Sequence, residues 1–223
     1  MTTEEIISIV IFLITMTAIM TERVHRTVAA ITGAILLIVT HILTIETSIA
    51  YVDINTVGVL VGMMLFVAVV KNSGIFEYIA IKSAKIAKGK PVNIMIIFIL
   101  ITTILSAFLD NVTTVLLIGP MTIAITRILN INPIPFLITQ IMASNIGGTA
   151  TLIGDPPNIM IGSAANLGFT DFILNTGLPV IFIIITAIIY FLLIYKKQLI
   201  VDEENISKVM EMDENKAIKD KSL

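Results

Sequence analysis

Two carboxylates stand where the surrounding sequence is otherwise lipid-like. Asp110 belongs to Asp110-Asn111-Val112-Thr113-Thr114, between apolar runs at 92–109 and 112–126. Asp155 closes a polar stretch that runs from Asn145 through Gly147, Gly148, Thr149, Thr151 and Gly154, and continues into Pro156, Pro157 and Asn158. A charged side chain at membrane depth costs about 2.5–3.5 kcal/mol on insertion scales, so such residues are candidates for function. The groups gathered here suit ions. Carboxylate, hydroxyl and carbonyl oxygens can ligate sodium or pass a proton, and the open amide end of a half-helix attracts an anion.

The elements that must position these groups follow from the breaks. Residues 135–146 and 156–166 predict two half-helices of about 18 and about 16 Å, which together cross a bilayer and put the interruption near its midplane. Gly147 and Gly148 are expected to end the first half by reaching the left-handed conformation. Asp155 is expected to cap the second, with Pro156 and Pro157 where no donor is needed. In the hairpin 92–126, Asp110 and Asn111 are expected to close one helix, and Thr113 and Thr114 to open the next. A run of 18 residues, 92–109, measures about 27 Å, so the spacing leaves Asp110 either in a pocket or at the outer surface.

Composition sets the class. Of 223 residues, 57% are hydrophobic and 13% charged, against about 25% charged in soluble domains. That excludes a water-soluble globule and predicts an all-α polytopic membrane protein. Spans are expected at 6–20, 27–44 and 56–70, then the hairpin at 92–126, the broken helix at 135–166 and a last span at 172–195. The first run follows Glu4 and Glu5 and has no small-residue cleavage pattern, so it reads as a retained span. Arg23, Arg26, Lys71, Lys82, Lys85, Lys88, Lys90, Arg127, Lys196 and Lys197 fall on one side only if 92–126 enters and leaves on the same face. By the positive-inside rule this predicts a plasma-membrane protein with its N-terminus outside and its C-terminus cytoplasmic.

Residues 75–90 place Ile75, Phe76, Ile79, Ile86 and Ala87 on one stripe, predicting an interfacial helix. The charged tail 201–223 reads as a solvated cytoplasmic segment, partly helical or disordered. The chain has no cysteine, which excludes thiolate metal sites and disulfides. His25 and His41, 16 residues apart, read as a loop and a headgroup-level residue, so no transition metal and no cofactor are expected. No Gly-Lys-Ser or Gly-Lys-Thr occurs, so an ion gradient rather than nucleotide hydrolysis would supply the energy. Nothing calls for a nucleic-acid partner; the lipid bilayer is the expected surrounding.

Ser106-Ala-Phe-Leu-Asp110-Asn-Val-Thr-Thr114 with Ile118-Gly-Pro120, then Ser144-Asn-Ile-Gly-Gly148-Thr-Ala-Thr-Leu-Ile-Gly154-Asp-Pro-Pro-Asn158, and Leu167-Gly-Phe-Thr-Asp-Phe172, resemble the arsenite permease and sodium–proton antiporter family. That family belongs to the ion transporter superfamily, which also includes citrate carriers, dicarboxylate carriers and the melanosomal P protein. The resemblance covers residues 1–200. It implies an inverted-repeat carrier, usually a homodimer, whose repeats each give a re-entrant hairpin and a discontinuous helix to an ion and substrate site. Carried over, Asp110, Asn111, Thr113 and Thr114 resemble the hairpin tip, and Asn145, Gly147, Gly148, Thr149, Thr151, Gly154, Asp155, Pro156, Pro157 and Asn158 the helix break, with sodium or a proton as the coupling ion.

Two departures shape the expected function. Dicarboxylate carriers have Ser-Asn-Thr at the hairpin tip, whereas this chain has Asp110-Asn111-Val112, which favours a proton, sodium or oxyanion. Such carriers are also about twice as long, so the chain reads as one inverted-repeat half, with 201–223 in place of the linker between repeats. A second polypeptide carrying the C-terminal repeat is then the expected partner. The resulting reading is secondary active transport of an ion, by arsenite or inorganic anion efflux or by sodium–proton antiport. The alternatives are a non-transporting fragment or accessory subunit, and an intramembrane aspartyl protease in which two aspartates share a proton. Those proteases use Tyr-Asp and Gly-x-Gly-Asp, whereas Asp110 follows Leu109 and Asp155 follows Leu152-Ile153-Gly154.

Overall fold

The computed structural model describes residues 2–218. Among these residues every regular element is helical, and the chain divides into two units, Met1–Ile54 and Asn55–Leu223.

The first unit contains α1 (Thr3–Met20), α2 (Arg26–Val39) and the short α3 (Ile45–Ala50). A capping box starts α1: Glu5 N–H donates to Thr2 Oγ1 at 3.3 Å and Thr2 N–H donates to Glu5 Oε2 at 2.9 Å. This satisfies two of the donors that a helix start leaves free, and the helix begins three residues before the apolar run. His25 Nδ1 accepts from Thr27 N–H at 3.3 Å and opens α2. α1 and α2 pack on each other where Gly33 faces Thr15, whose hydroxyl fills the place a β-carbon would take. Their other faces carry bare apolar side chains, such as Phe12 and Ile14, both 61% exposed. That is the surface of a helix whose solvent is lipid.

The second expected span is shorter than its apolar run. α2 stops at Val39 because the chain turns through His41 at φ 57, and residues 45–50 form the separate α3. Fourteen residues measure about 21 Å, short of a hydrocarbon core of about 30 Å.

All but the first residue of α4 (Ile54–Asn72) belongs to the second unit, followed by α5 (Ile75–Ile86). The hairpin helices α6 (Pro91–Ser106) and α7 (Asn111–Ile128) follow, then α8 (Ile134–Gly148), α9 (Pro156–Ala165) and α10 (Phe169–Tyr195). The last helix is α11 (Glu203–Met210), with 3-10 turns at Lys196–Gln198 and Glu214–Ala217. Among the described residues four helical segments are long and apolar enough to cross a membrane: Thr3–Met20, Ile54–Asn72, Asn111–Ile128 and Phe169–Gln198. At 16 residues, α6 measures about 24 Å and falls short of a full crossing.

α6 lies along α8, and α8 also touches α7 and α10. Their core holds Ile94, Met95 and Ile99 of α6, Ile125 of α7 and Phe136 of α8, all at most 1% exposed. Lipid is as apolar as these side chains, so close packing and interhelical hydrogen bonds must hold the helices together. Thr122 and Gln140 supply such bonds: both are fully buried, and Gln140 Nε2 donates to Thr122 Oγ1 at 2.8 Å.

The flanking segments, α5 and the tail, both pack on the rest of this unit. α5 buries Phe76, Ala80, Ile81, Ser83 and Ala84, and it packs against α6, α7 and the tail. Ile75 and Ile86, which share the expected apolar stripe, are exposed. Ala80, Ser83 and Ala84 are small enough to let neighbouring helices approach closely. The tail is partly helical and mostly exposed, but it is docked: Val209 is fully buried, and α11 packs on α5 and α7. Its apolar residues are few but share one side. Residues 219–223 of that tail lie outside the described residues.

Candidate functional site

The hairpin turn and the helix break meet. Asn111 Nδ2, in the first turn of α7, donates to Asn145 Oδ1 of α8 at 3.0 Å. Ser106 Oγ, at the end of α6, donates to the Ser144 carbonyl at 2.6 Å, and Thr151 Oγ1 donates to the Ala107 carbonyl. Two clusters 34 residues apart in sequence thus form one polar patch. Asp110 and Asp155 both border this patch and are partly buried.

Glycine makes the break possible, for a reason other than the expected one. Gly147 and Gly148 lie inside α8, whose C-cap is Thr149, and neither has a positive φ. What they provide is room. A β-carbon on Gly147 would run into the Thr103 carbonyl of α6, and one on Gly148 would stand 2.8 Å from the Gly154 carbonyl oxygen. One on Gly154 would stand 2.5 Å from the Gly148 carbonyl oxygen and 2.8 Å from that of Ser106. The segment 149–155 therefore leaves α8 and returns to touch it. Asn158 clips the loop shut: its Nδ2 donates to the carbonyls of Gly148 at 3.1 Å and Thr151 at 2.9 Å. Thr151 Oγ1 also accepts from Gly154 N–H at 3.2 Å, and Thr149 Oγ1 donates to the Ile146 carbonyl at 2.8 Å.

The two aspartates differ in what holds them. Asp110 is the N-cap of α7, and its Oδ1 accepts from Thr113 N–H at 3.0 Å. Asp110 and Asn111 thus open α7 instead of closing α6, which ends at Ser106. Asp155 holds the N-cap position of α9, but its carboxylate makes no capping bond. An N-cap side chain accepts from the second or third helical residue. Here the second is Pro157, which has no N–H, and the N–H of the third, Asn158, bonds to the Asp155 carbonyl at 3.0 Å. The prolines expected to suit a capped helix leave the carboxylate uncapped.

Thr114 lies beside this patch on α7, fully buried, with no hydrogen-bond partner for its hydroxyl among the described residues. Ser106, Ser144 and Thr176 also shape the site, the last donating to the Ala150 carbonyl at 3.1 Å. Ser106 and Ser144 could have been found as small polar residues flanking the two clusters. Thr176 sits in an apolar run with no local signal. Among the described residues no group of three or more His, Asp or Glu side chains could hold a metal ion.

A family model described as citrate transporter matches residues 16–223. An uncharacterized transporter of Mycobacterium bovis is 42% identical over 223 residues, covering 98% of this chain and 52% of that protein. The 46 kDa membrane protein of Mycobacterium leprae is 40% identical over 225 residues, with the same coverage of 98% and 52%. The P protein of Homo sapiens is 38% identical over 151 residues, covering 66% of this chain and 18% of that protein. The chain spans about half the length of the mycobacterial relatives it matches.

Proposed function

Because the chain belongs to the citrate transporter family, we propose that it supplies one half of a secondary active carrier that moves a small ion across the plasma membrane. The observation that carries this reading is the bond between Asn111 and Asn145, which joins the hairpin turn to the helix break. Broken helices at membrane depth are tolerated where protein or a polar cavity satisfies their backbone groups, and carriers bind ions at such places. Asp110 and Asp155 bring two carboxylates to one polar patch, and a cation or a proton taken up there would ease the repulsion between like charges. Asp155, free of capping bonds, is the group that takes it up. Asp110, Asn111, Thr113 and Thr114 line one side, and Asn145, Gly147, Gly148, Thr149, Thr151 and Gly154 to Asn158 the other.

In this reading the N-terminus is outside, the charged tail is cytoplasmic, and the substrate is sodium exchanged for protons, or arsenite or another inorganic ion. A second polypeptide bearing the inverted repeat completes the site, and the assembly dimerises. The family's description favours a second reading, in which the cargo is citrate. The extra carboxylate of Asp110 opposes it, since a tricarboxylate would meet a negative charge at the hairpin tip.

The test starts from the chain purified gently from its own cells with whatever membrane polypeptide accompanies it. The recovered assembly is then assayed in proteoliposomes for sodium, arsenite and citrate flux. A stoichiometric partner of similar size and gradient-driven flux of one of these ions supports the half-carrier. Recovery of this chain alone, with no flux, replaces it with a non-transporting fragment or accessory subunit.

A further inference from the structure

The tail is fastened to the rest of its unit by two chemically different means. The first is apolar. Val209 is fully buried in the core shared with α5, α6 and α8, and Ile206 packs where Gly89 leaves space. A β-carbon on Gly89 would stand 2.7 Å from Ile206 Cγ2, and Gly89 has a φ of +65°. The second fastening is polar and lies beyond Met212. Lys85 Nζ, on α5, donates to the Met212 carbonyl at 3.1 Å and pairs with Glu214 at 2.6 Å. The two side chains are 29% and 23% exposed. Lys82 adds a second positive charge that Glu214 feels, and is itself steadied by a 2.8 Å bond to the Tyr78 hydroxyl.

These two fastenings answer to different conditions. An apolar anchor does not weaken as charges are screened, whereas a partly exposed ion pair does. The screening length falls from about 10 Å at 0.1 M salt to about 3 Å at 1 M. α5 leads through 87–90 directly into the hairpin helix α6, and α11 touches both α5 and α7. The closed tail is therefore a splint across the element that connects α4 to the hairpin.

We propose that Lys85 and Glu214 form a charge-controlled latch on this splint. Closed, the latch holds residues 213–217 on α5. Opened by salt or by loss of the Lys85 charge, it releases that segment while Val209 keeps α11 in place. The consequence for hairpin movement rests on the carrier reading above; the latch itself does not.

Hydrogen exchange read by mass spectrometry tests it on the purified assembly in lipid nanodiscs. Two segments are compared, 203–210 and 213–217, at about 0.1 M and about 1 M salt. The expected result is protection of both at low salt, with a fall of about two- to fivefold in 213–217 alone at high salt, the range an exposed ion pair supports. Lys85→Gln at low salt should reproduce that fall, and Lys85→Arg, which keeps the charge and a donor, should retain protection. If 213–217 exchanges freely in the native chain, or is indifferent to both salt and Lys85→Gln, there is no latch. Loss of protection in both segments together would likewise overturn it. Should Lys85→Gln fail to fold, the salt series on the native chain decides. Because no flux is read, failure of the carrier reading leaves this result standing.

Discussion

Asp110 and Asp155 occupy the same place relative to the helix that follows, and the backbone is extended at both. Around Asp110 the first turn of α7 keeps its donors, and Thr113 N–H captures the carboxylate. Around Asp155 the first two helical positions are Pro156 and Pro157, and the next N–H is taken by the main chain. The same local pattern thus yields one carboxylate that caps its helix and one that makes no capping bond. The difference comes from the two prolines and not from the aspartates.

The sharpest test of this contrast is Asp155→Asn. It should lower coupled flux at least about tenfold, since a bond to a charged group is worth about 1.5–3 kcal/mol, while leaving thermal stability nearly unchanged. Parallel flux and melting measurements on the purified assembly would show it. A large loss of stability would mean that the carboxylate is structural after all.

Next in size is closure of the loop around Asp155. Gly154→Val places a branched side chain against the carbonyls of Gly148 and Ser106, and overpacking of this kind costs about 1–3 kcal/mol. The melting temperature in detergent should fall clearly, with flux lost as a result.

Asp110→Ala should cost about 1 kcal/mol through loss of the cap, while Asp110→Asn, a residue that caps equally well, should melt like the native chain. If Asp110→Asn melts normally but loses flux as fully as Asp155→Asn, the division of labour fails and both carboxylates serve the ion.

Pro157→Ala would blur the two sites in the opposite direction. It returns an N–H to the second position of α9, so Asp155 gains a capping donor. Ion affinity should fall about fivefold, in step with a capping bond of about 1 kcal/mol. Thermal shift against sodium concentration would measure it.

The smallest effect lies outside both loops and serves as their control. The hydrogen bond from Lys85 holds the Glu214 carboxyl below its ordinary value of 4.5. A depressed carboxylate stabilises above its unfolded pKa and loses that contribution as pH falls through the folded value. Protection of 213–217 should therefore be constant near neutral pH and decline only below 4.5, after correction for intrinsic exchange rates. Asp155→Asn should leave this profile untouched.

Much of the fold was legible in the residues. Apolar runs and breakers place α4, α6, α7, α8, α9 and α10 within a few positions of their observed bounds, because a bilayer demands long uninterrupted helices and penalises anything else. The two polar clusters were legible as well, since polar groups in such runs are costly and conspicuous. The buried face of α5, the docking of the tail and the end of α2 at Val39 were not. Each depends on how closely another segment approaches, which a one-dimensional pattern of apolar residues does not encode.

The sequence by itself determined that this is a helical membrane chain, where its helices break, and which residues gather at those breaks. The solvent preference of each side chain is a local property, and it reads directly from composition and spacing. Only the tertiary structure decided that the two breaks meet through Asn111 and Asn145, that Gly147, Gly148 and Gly154 serve closeness and not left-handed turns, and that Asp155 rather than Asp110 keeps its carboxylate free of capping bonds. Those outcomes turn on which donors remain within about 3 Å of a given acceptor, and that is fixed only when distant segments have packed.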